Sequence, residues 1–216
     1  MSDHLAFLHT APVHVATFAK LVADAAPDLR QRHIVNEALL ADAQRDGAND
    51  PRLVARVTAA MHEAAAHGAR VVVCTCSTIG GAAEATVTNG EFTAIRIDRA
   101  MADRAVLLGP RVVVLASLAS TLAPTQQLLE SSRLRADVTI AARFLVVEGA
   151  WTHFINQDLA AYYAAIGTQI ELNAATADVI VLAQASMAPA AALARTTTEV
   201  LSSPALGVQH ALGLLT

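Results

Sequence analysis

The sequence predicts an α/β fold in which buried, mostly parallel strands alternate with helices that cover both faces of the sheet. Short, wholly apolar runs recur along the chain, among them Val71-Val72-Val73-Cys74, Arg111 to Ala116 after its first residue, and Val179 to Leu182. A strand that is apolar at every position is buried on both faces, as strands of parallel sheets are. Between these runs lie segments of helical periodicity, opened or closed by proline, aspartate, serine or glycine. A length of 216 residues allows one large α/β domain or two small ones.

Taken in order, His4 to His9 is an apolar run of strand length, broken by Thr10-Ala11-Pro12. Val15, Phe18, Leu21 and Val22 then mark a helix that ends near Pro27. His33 to Ala38 is the second strand candidate. Asp50-Pro51 opens a helix: the aspartate can cap it, and proline suits a first turn whose N–H groups have no intrahelical partner. Leu53, Val54, Val57, Met61 and Ala64 form its apolar face, and Gly68 supplies the stop. The triple-valine strand follows, with a helix starting near Ile79 or Gly80. Phe92 to Ile97 is a fourth strand, Ala100 to Leu108 a helix, Arg111 to Ala116 a fifth strand, and Pro124 to Leu134 a helix. Val138 to Ala142 starts again as a strand. A long helix from about Gln157 to Ala177 carries Leu159, Tyr162, Tyr163, Ile166, Ile170 and Leu172 as its stripe. After Val179 to Leu182 come a helix over Ala188 to Ala194, a short strand Glu199 to Leu201, and a last helix opened by Ser203-Pro204.

Composition excludes several functions. The chain is 54% hydrophobic and only 16% charged, with much of the apolar share alanine, which favours close-packed helices over disorder. The net charge is −4, lysine is nearly absent and the arginines are scattered, so no nucleic-acid partner is expected. No apolar run reaches the roughly 18 residues that span a membrane. Met1-Ser2-Asp3-His4 lacks a basic region before a long apolar core, which argues against a signal peptide. The two cysteines, Cys74 and Cys76, are too close for an unstrained disulfide. A reducing cytoplasm is therefore expected. The eight histidines make no metal-ligand spacing, and no metal is expected. Neither Gly-x-Gly-x-x-Gly after the first strand nor Gly-Lys-Ser/Thr occurs, so no nucleotide cofactor is expected. Apolar helix faces on an alanine-rich chain suit a homo-oligomer.

Candidate chemistry collects at the strand ends. Ligands of open α/β sheets sit at the carboxyl ends of the strands, and several strands here end in small hydroxyl residues: Thr10, Ser77 and Thr78, Ser117, and Ser186. These ends should share one edge. Cys76 lies at such an end, just before a helix start, where a thiol becomes a better nucleophile; the bland alternative is a small buried hydrophobe. Cys74, two residues earlier, points to the same face but deeper and reads as core. Ser77 and Thr78 suit either a bound carboxylate or helix capping. Gln184, on an otherwise apolar strand, carries an amide that needs partners, from a ligand or from backbone. His9 adjoins the first loop and could reach a ligand, although a lone histidine is more often structural. Trp151, Tyr162 and Tyr163 read as core or interface.

At these strand ends the chain resembles the aspartate/glutamate racemase superfamily. Cys76-Ser77-Thr78 after the valine strand is similar to the family's Cys-Asn-Thr motif. Val181-Leu182-Ala183-Gln184-Ala185-Ser186-Met187 resembles its second motif, Leu-Gly-Cys-Ala-Gly-Met in the hydantoin racemase branch. Leu8-His9-Thr10-Ala11-Pro12 sits where the family has its first substrate loop, Ser117 to Thr121 where it has a threonine-containing loop, and Ser202-Ser203-Pro204 precedes the last helix. The resemblance implies two similar Rossmann-like or flavodoxin-like halves with mostly parallel sheets, residues 1–95 with 204–216 and residues 96–203, with the site in the cleft between them. It implies a cofactor-independent racemase- or isomerase-like enzyme that uses Cys76 for proton transfer or thiol chemistry at the α-carbon of a small carboxylate substrate. In the family's racemases one cysteine from each half faces that carbon; one thiolate removes the proton and the other thiol returns one from the opposite side. Here the position of the second cysteine is Gln184, which cannot exchange a proton at neutral pH but can donate a hydrogen bond to a carboxylate or enolate. The implied catalytic residues are Cys76 and Gln184, with Thr10, Ser77, Thr78, Ser117 and Ser186 binding substrate. The alternatives are a single-cysteine decarboxylase or lyase of the same superfamily, whose cysteine however sits in the second motif, and a carboxylate-binding protein without catalysis.

Overall fold

The computed structural model describes residues 4–216; Met1, Ser2 and Asp3, on which the expectation about a signal peptide partly rests, lie outside the described residues. The chain divides into two compact units, one comprising the chain through Asp98 together with Pro204–Thr216, the other Arg99–Ser203. In the first, β1 (Leu5–His9), α1 (Val13–Ala25), β2 (Gln31–Val35), α2 (Ala38–Asp46), α3 (Pro51–Ala65), β3 (Val71–Cys74), α4 (Gly80–Glu84) and β4 (Thr93–Arg96) follow one another. The second contains α5 (Arg99–Leu108), β5 (Arg111–Ala116), α6 (Leu122–Ala136), β6 (Ala141–Val146), α7 (Ala150–Ile155), α8 (Leu159–Ala174), β7 (Val179–Leu182) and β8 (Glu199–Ser202). The last helix, α9 (Ser203–Gly213), returns to the first unit.

Each unit holds one four-stranded parallel sheet, in the orders β2-β1-β3-β4 and β6-β5-β7-β8. The α/β class with parallel sheets is thus as the apolar runs predict. In the first unit one sheet face, with Leu8, Val72 and Cys74, packs against Leu53, Val57 and Met61 of α3. The other carries Phe7, tilted against Phe18 of α1. In the second unit Val113, Leu115, Ile180 and Leu182 pack against Tyr162, Ile166 and Ile170 of α8. The α3 start is built as its sequence dictates: Asp50 accepts from the N–H groups of Arg52 and Leu53 at 2.9 and 3.2 Å, with Pro51 in the first turn.

Three local expectations give way, and two helices were not expected. The second strand runs over 31–35 rather than 33–38, because its pairing with β1 ends at His9↔Val35 and the chain then turns into α2. That helix buries only Leu39, Asp42 and Ala43, too short a stripe to show as a period. The β-branched run Val138-Thr139-Ile140 precedes its strand instead of forming it, since the register with β5 begins at Arg111↔Ala141. Ala188 to Ala194 is not an α-helix: a 3₁₀ helix spans Ala185–Ala192 with Pro189 inside it, and proline cannot donate the hydrogen bond that a continuous α-helix needs there. The short helix α7 also went unmarked in the sequence.

α9 approaches the end of β4 closely. A Cβ added at Gly207 would lie 2.2 Å from the Ile97 carbonyl oxygen and 2.4 Å from its Cδ1. Backbone there cannot give way cheaply, so Gly207→Ala is expected to destabilise the protein by about 1–3 kcal/mol, the range for overpacking. Urea unfolding followed by circular dichroism checks this; an unchanged midpoint would show that the helix can shift.

Candidate active site

In both sheets the chain reverses its direction of travel across the sheet at the first strand, so a topological switch point lies between β1 and β3, and another between β5 and β7. Ligands of open parallel sheets bind at the carboxyl ends of the strands flanking such a point. The expected single edge is therefore two edges, one per sheet. Thr10 and Cys76-Ser77-Thr78 stand at the first, Ser117 and Gln184 to Ser186 at the second.

The backbone shows that these sets correspond. Beyond β3 the N–H of Thr75 donates to the Leu8 carbonyl at 3.0 Å; beyond β7 the N–H of Ala183 donates to the Leu115 carbonyl at 2.9 Å. Likewise Asn36 donates to the His9 carbonyl and Val147 to the Ala116 carbonyl, each at 2.8 Å. One residue further along, Cys76 and Gln184 therefore occupy equivalent positions in the two units, as do Thr10 and Ser117.

At the first edge Cys76 is half-buried, whereas Cys74 is fully buried with its Sγ 3.7 Å from the Cys76 carbonyl. Burial, followed by the neighbouring Cys76 thiol, pushes the Cys74 pKa far up, so Cys74 stays a neutral thiol. Thr10, Ser77 and Thr78 are buried, and the Ser77 Oγ is enclosed without a hydrogen-bond partner. Thr78 is engaged with the surrounding structure.

Behind this edge runs a directional chain of hydrogen bonds. The Gln31 amide nitrogen donates to the Ala19 carbonyl at 3.2 Å, which turns its Oε1 toward His33 Nε2 at 3.0 Å. His33 Nε2 must then donate, leaving Nδ1 of the neutral ring to accept from His9 Nε2 at 2.8 Å. His9 Nδ1 in turn accepts from the Thr75 hydroxyl at 2.8 Å. All three histidines in this region are held neutral. His9 is lowered to about 3 by burial and by the adjacent His33 and His14; His14 is lowered to about 4, and His33 is lowered, both by burial. His9 is completely buried and is built into the sheet rather than open to a ligand. Among the described residues no group of His, Cys, Asp or Glu is placed to hold a metal ion.

At the second edge the Gln184 Oε1 accepts from the Ser117 backbone N–H at 2.7 Å. Because a backbone N–H can only donate, the amide orientation is fixed and the NH₂ group is left as a donor for a further partner. The Tyr162 hydroxyl lies 3.1 Å from Ser117 Oγ and 2.9 Å from Ser186 Oγ. Three hydroxyl protons serve two internal hydrogen bonds, so one proton remains to be donated elsewhere. Tyr162, which the sequence assigns to core or interface, is fully buried; its hydroxyl is the functional group the sequence analysis lacks, and the signal for it is that a buried phenol needs a polar partner.

No family model matches the chain, and no curated protein matches it. Solved structures do. An aspartate racemase from Picrophilus torridus superposes with a TM-score of 0.69 at 15% identity, over 100% of this chain and 94% of that one. Allantoin racemase from Pseudomonas fluorescens gives 0.63 at 18% identity, over 98% and 90%. A sulfate-associated cysteine variant of arylmalonate decarboxylase gives 0.61 at 17% identity, over 98% and 93%. The chain has the α/β fold of these enzymes.

Proposed function

We propose that the protein is a cofactor-independent enzyme of the racemase superfamily, acting through Cys76 at the α-carbon of a small carboxylate substrate. The observation that carries this reading is the equivalence of Cys76 and Gln184: a half-buried thiol at one switch point and an oriented amide donor at the other. The thiolate of Cys76 takes the α-proton and becomes the thiol, and the electron pair of the broken C–H bond moves into the carboxyl group as an enolate. The strand-end hydroxyls of Thr10, Ser77 and Thr78 bind the carboxylate and stabilise that charge, and the Gln184 NH₂ group with Ser117 and Ser186 is the corresponding set of donors in the second unit. The same thiol then returns a proton, so exchange at the α-carbon proceeds without inversion.

A second reading is favoured by the neutral amide at the second position: decarboxylation, in which the C–C bond breaks, carbon dioxide leaves, and Cys76 protonates the resulting enolate from one side. Proton NMR of a panel of chiral carboxylates and disubstituted malonates in D₂O separates the readings. Loss of the α-proton signal with retained optical rotation is the expected result. Carbon dioxide release with one enantiomer formed would select the second reading. Saturable binding with neither reaction would reduce the protein to a carboxylate binder.

A further inference from the structure

A buried ion pair lies behind the Cys76 edge. Arg96, the last residue of β4 and the register partner of Cys74, is 3% exposed, and its guanidinium meets the Asp98 carboxylate through Nε at 2.6 Å and Nη2 at 3.0 Å. The same Nη2 donates to the Ser77 carbonyl at 3.2 Å. The guanidinium also lies against the start of α4: a Cβ at Gly80 would stand 2.9 Å from its Cζ and Nε. Opposite charges buried in this way rarely add net stability, and a packed hydrophobic pair does as well. What a hydrophobic pair cannot do is hold a peptide by its carbonyl.

We propose that Arg96, oriented by Asp98, is a positioning residue for Cys76. It grips the Ser77 peptide, the link between the thiol-bearing residue and Thr78, and so fixes the turn that presents both. Gly80 is required at the helix start because any side chain there would displace the guanidinium. This role rests on the reading of Cys76 as the reacting thiol, and it uses neither the Gln184 edge nor any ligand.

Iodoacetamide labelling of the folded full chain, read by peptide mass with Cys74 as internal reference, tests it without a substrate. Gly80→Ala, which pushes the guanidinium off Ser77 and keeps both charges, is expected to speed Cys76 labelling by about fivefold, the scale of one lost hydrogen bond. Arg96→Met with Asp98→Asn, which removes both charges together, is expected to do at least as much. Arg96→Lys, which keeps a donor, is expected to restore part of the protection. Where exchange activity is measurable, the loss should fall on kcat rather than KM. If the double variant does not fold, the two single variants decide the matter. Folded Gly80→Ala or Arg96→Met/Asp98→Asn protein that labels Cys76 at the wild-type rate, or more slowly, overturns the proposal. A labelling response in a protein without exchange activity would sink the enzymatic reading and leave Arg96 only as the group that holds the Cys76 turn; the reverse pattern would sink the Arg96 role alone.

Discussion

Cys76→Ser is expected to lower turnover by about 10²–10⁴-fold, the contribution of a positioned acid–base group, while the protein stays folded. The thiolate is the working form of cysteine, and a serine hydroxyl does not ionise near neutral pH. The fold should survive because Cys76 is only half-buried and the replacement keeps its shape. Cys74→Ala is the control. Cys74 lies two residues earlier on the same face, fully buried among Leu8, Val72 and Ile79, and its thiol stays protonated. Turnover should therefore persist in that variant at any temperature at which it remains folded. Stopped-time assays of α-proton exchange, with circular dichroism to confirm folding, check both. Retained turnover in Cys76→Ser, or its loss in folded Cys74→Ala, would move the chemistry away from Cys76.

The parts of this site that the sequence makes legible are those encoded within a few residues. Val71-Val72-Val73 is apolar at every position because its strand is covered on both sides, and the small polar residues after it mark the strand end. Gln184 stands out because a lone amide just beyond an apolar strand asks for a partner. The partners themselves were not legible. Gln184 finds the Ser117 N–H 67 positions away, and His9 finds Thr75 66 positions away; only the pairing of strands brings them together. Arg96 and Asp98 were hidden for a different reason. Charged residues near a strand end read as solvated, and only the tertiary structure shows that each is the other's counter-ion. Tyr162 was hidden by its own hydrophobicity, since its ring satisfies the helical stripe and its hydroxyl adds nothing to the period.

The protein is expected to lose stability steeply as the pH falls below about 6.5, well before its carboxylates protonate. The cause is the histidine cluster of the first unit. His9 is enclosed by His33 on β2, His14 on α1, Thr75 beyond β3, and the rings of Phe7 and Phe18. No acidic side chain is among these partners to favour a charged ring. The folded protein thus keeps His9 neutral down to about 3 and His14 down to about 4, against 6.5 for an ordinary imidazole. Between those limits the unfolded chain binds more protons than the folded one, so stability rises with pH in this window. It is full above 6.5 and lost progressively toward 4 and 3. At pH 5 each of the two imidazoles costs about 2 kcal/mol, the free energy of protonating it in the unfolded chain 1.5 pH units below its ordinary value. Together they remove about 4 kcal/mol, a large share of the roughly 5–15 kcal/mol that holds a typical domain folded. His33, lowered in the same direction by burial, adds to the slope. Its Nδ1 accepts from His9, so a proton placed there would face another N–H. His9 itself has an escape, because a protonated Nδ1 could donate to Thr75 while the threonine hydroxyl turns to the Leu8 carbonyl 3.3 Å away. The cost at His9 is therefore desolvation and repulsion between rings rather than a broken hydrogen bond. Urea unfolding at pH 7.5, 6 and 5 measures the slope. His9→Gln, which retains an acceptor and a donor, and His14→Phe, which retains the ring packing, should each flatten it, and the two together should flatten it further. A double variant with the wild-type slope would place the acid sensitivity elsewhere in the chain.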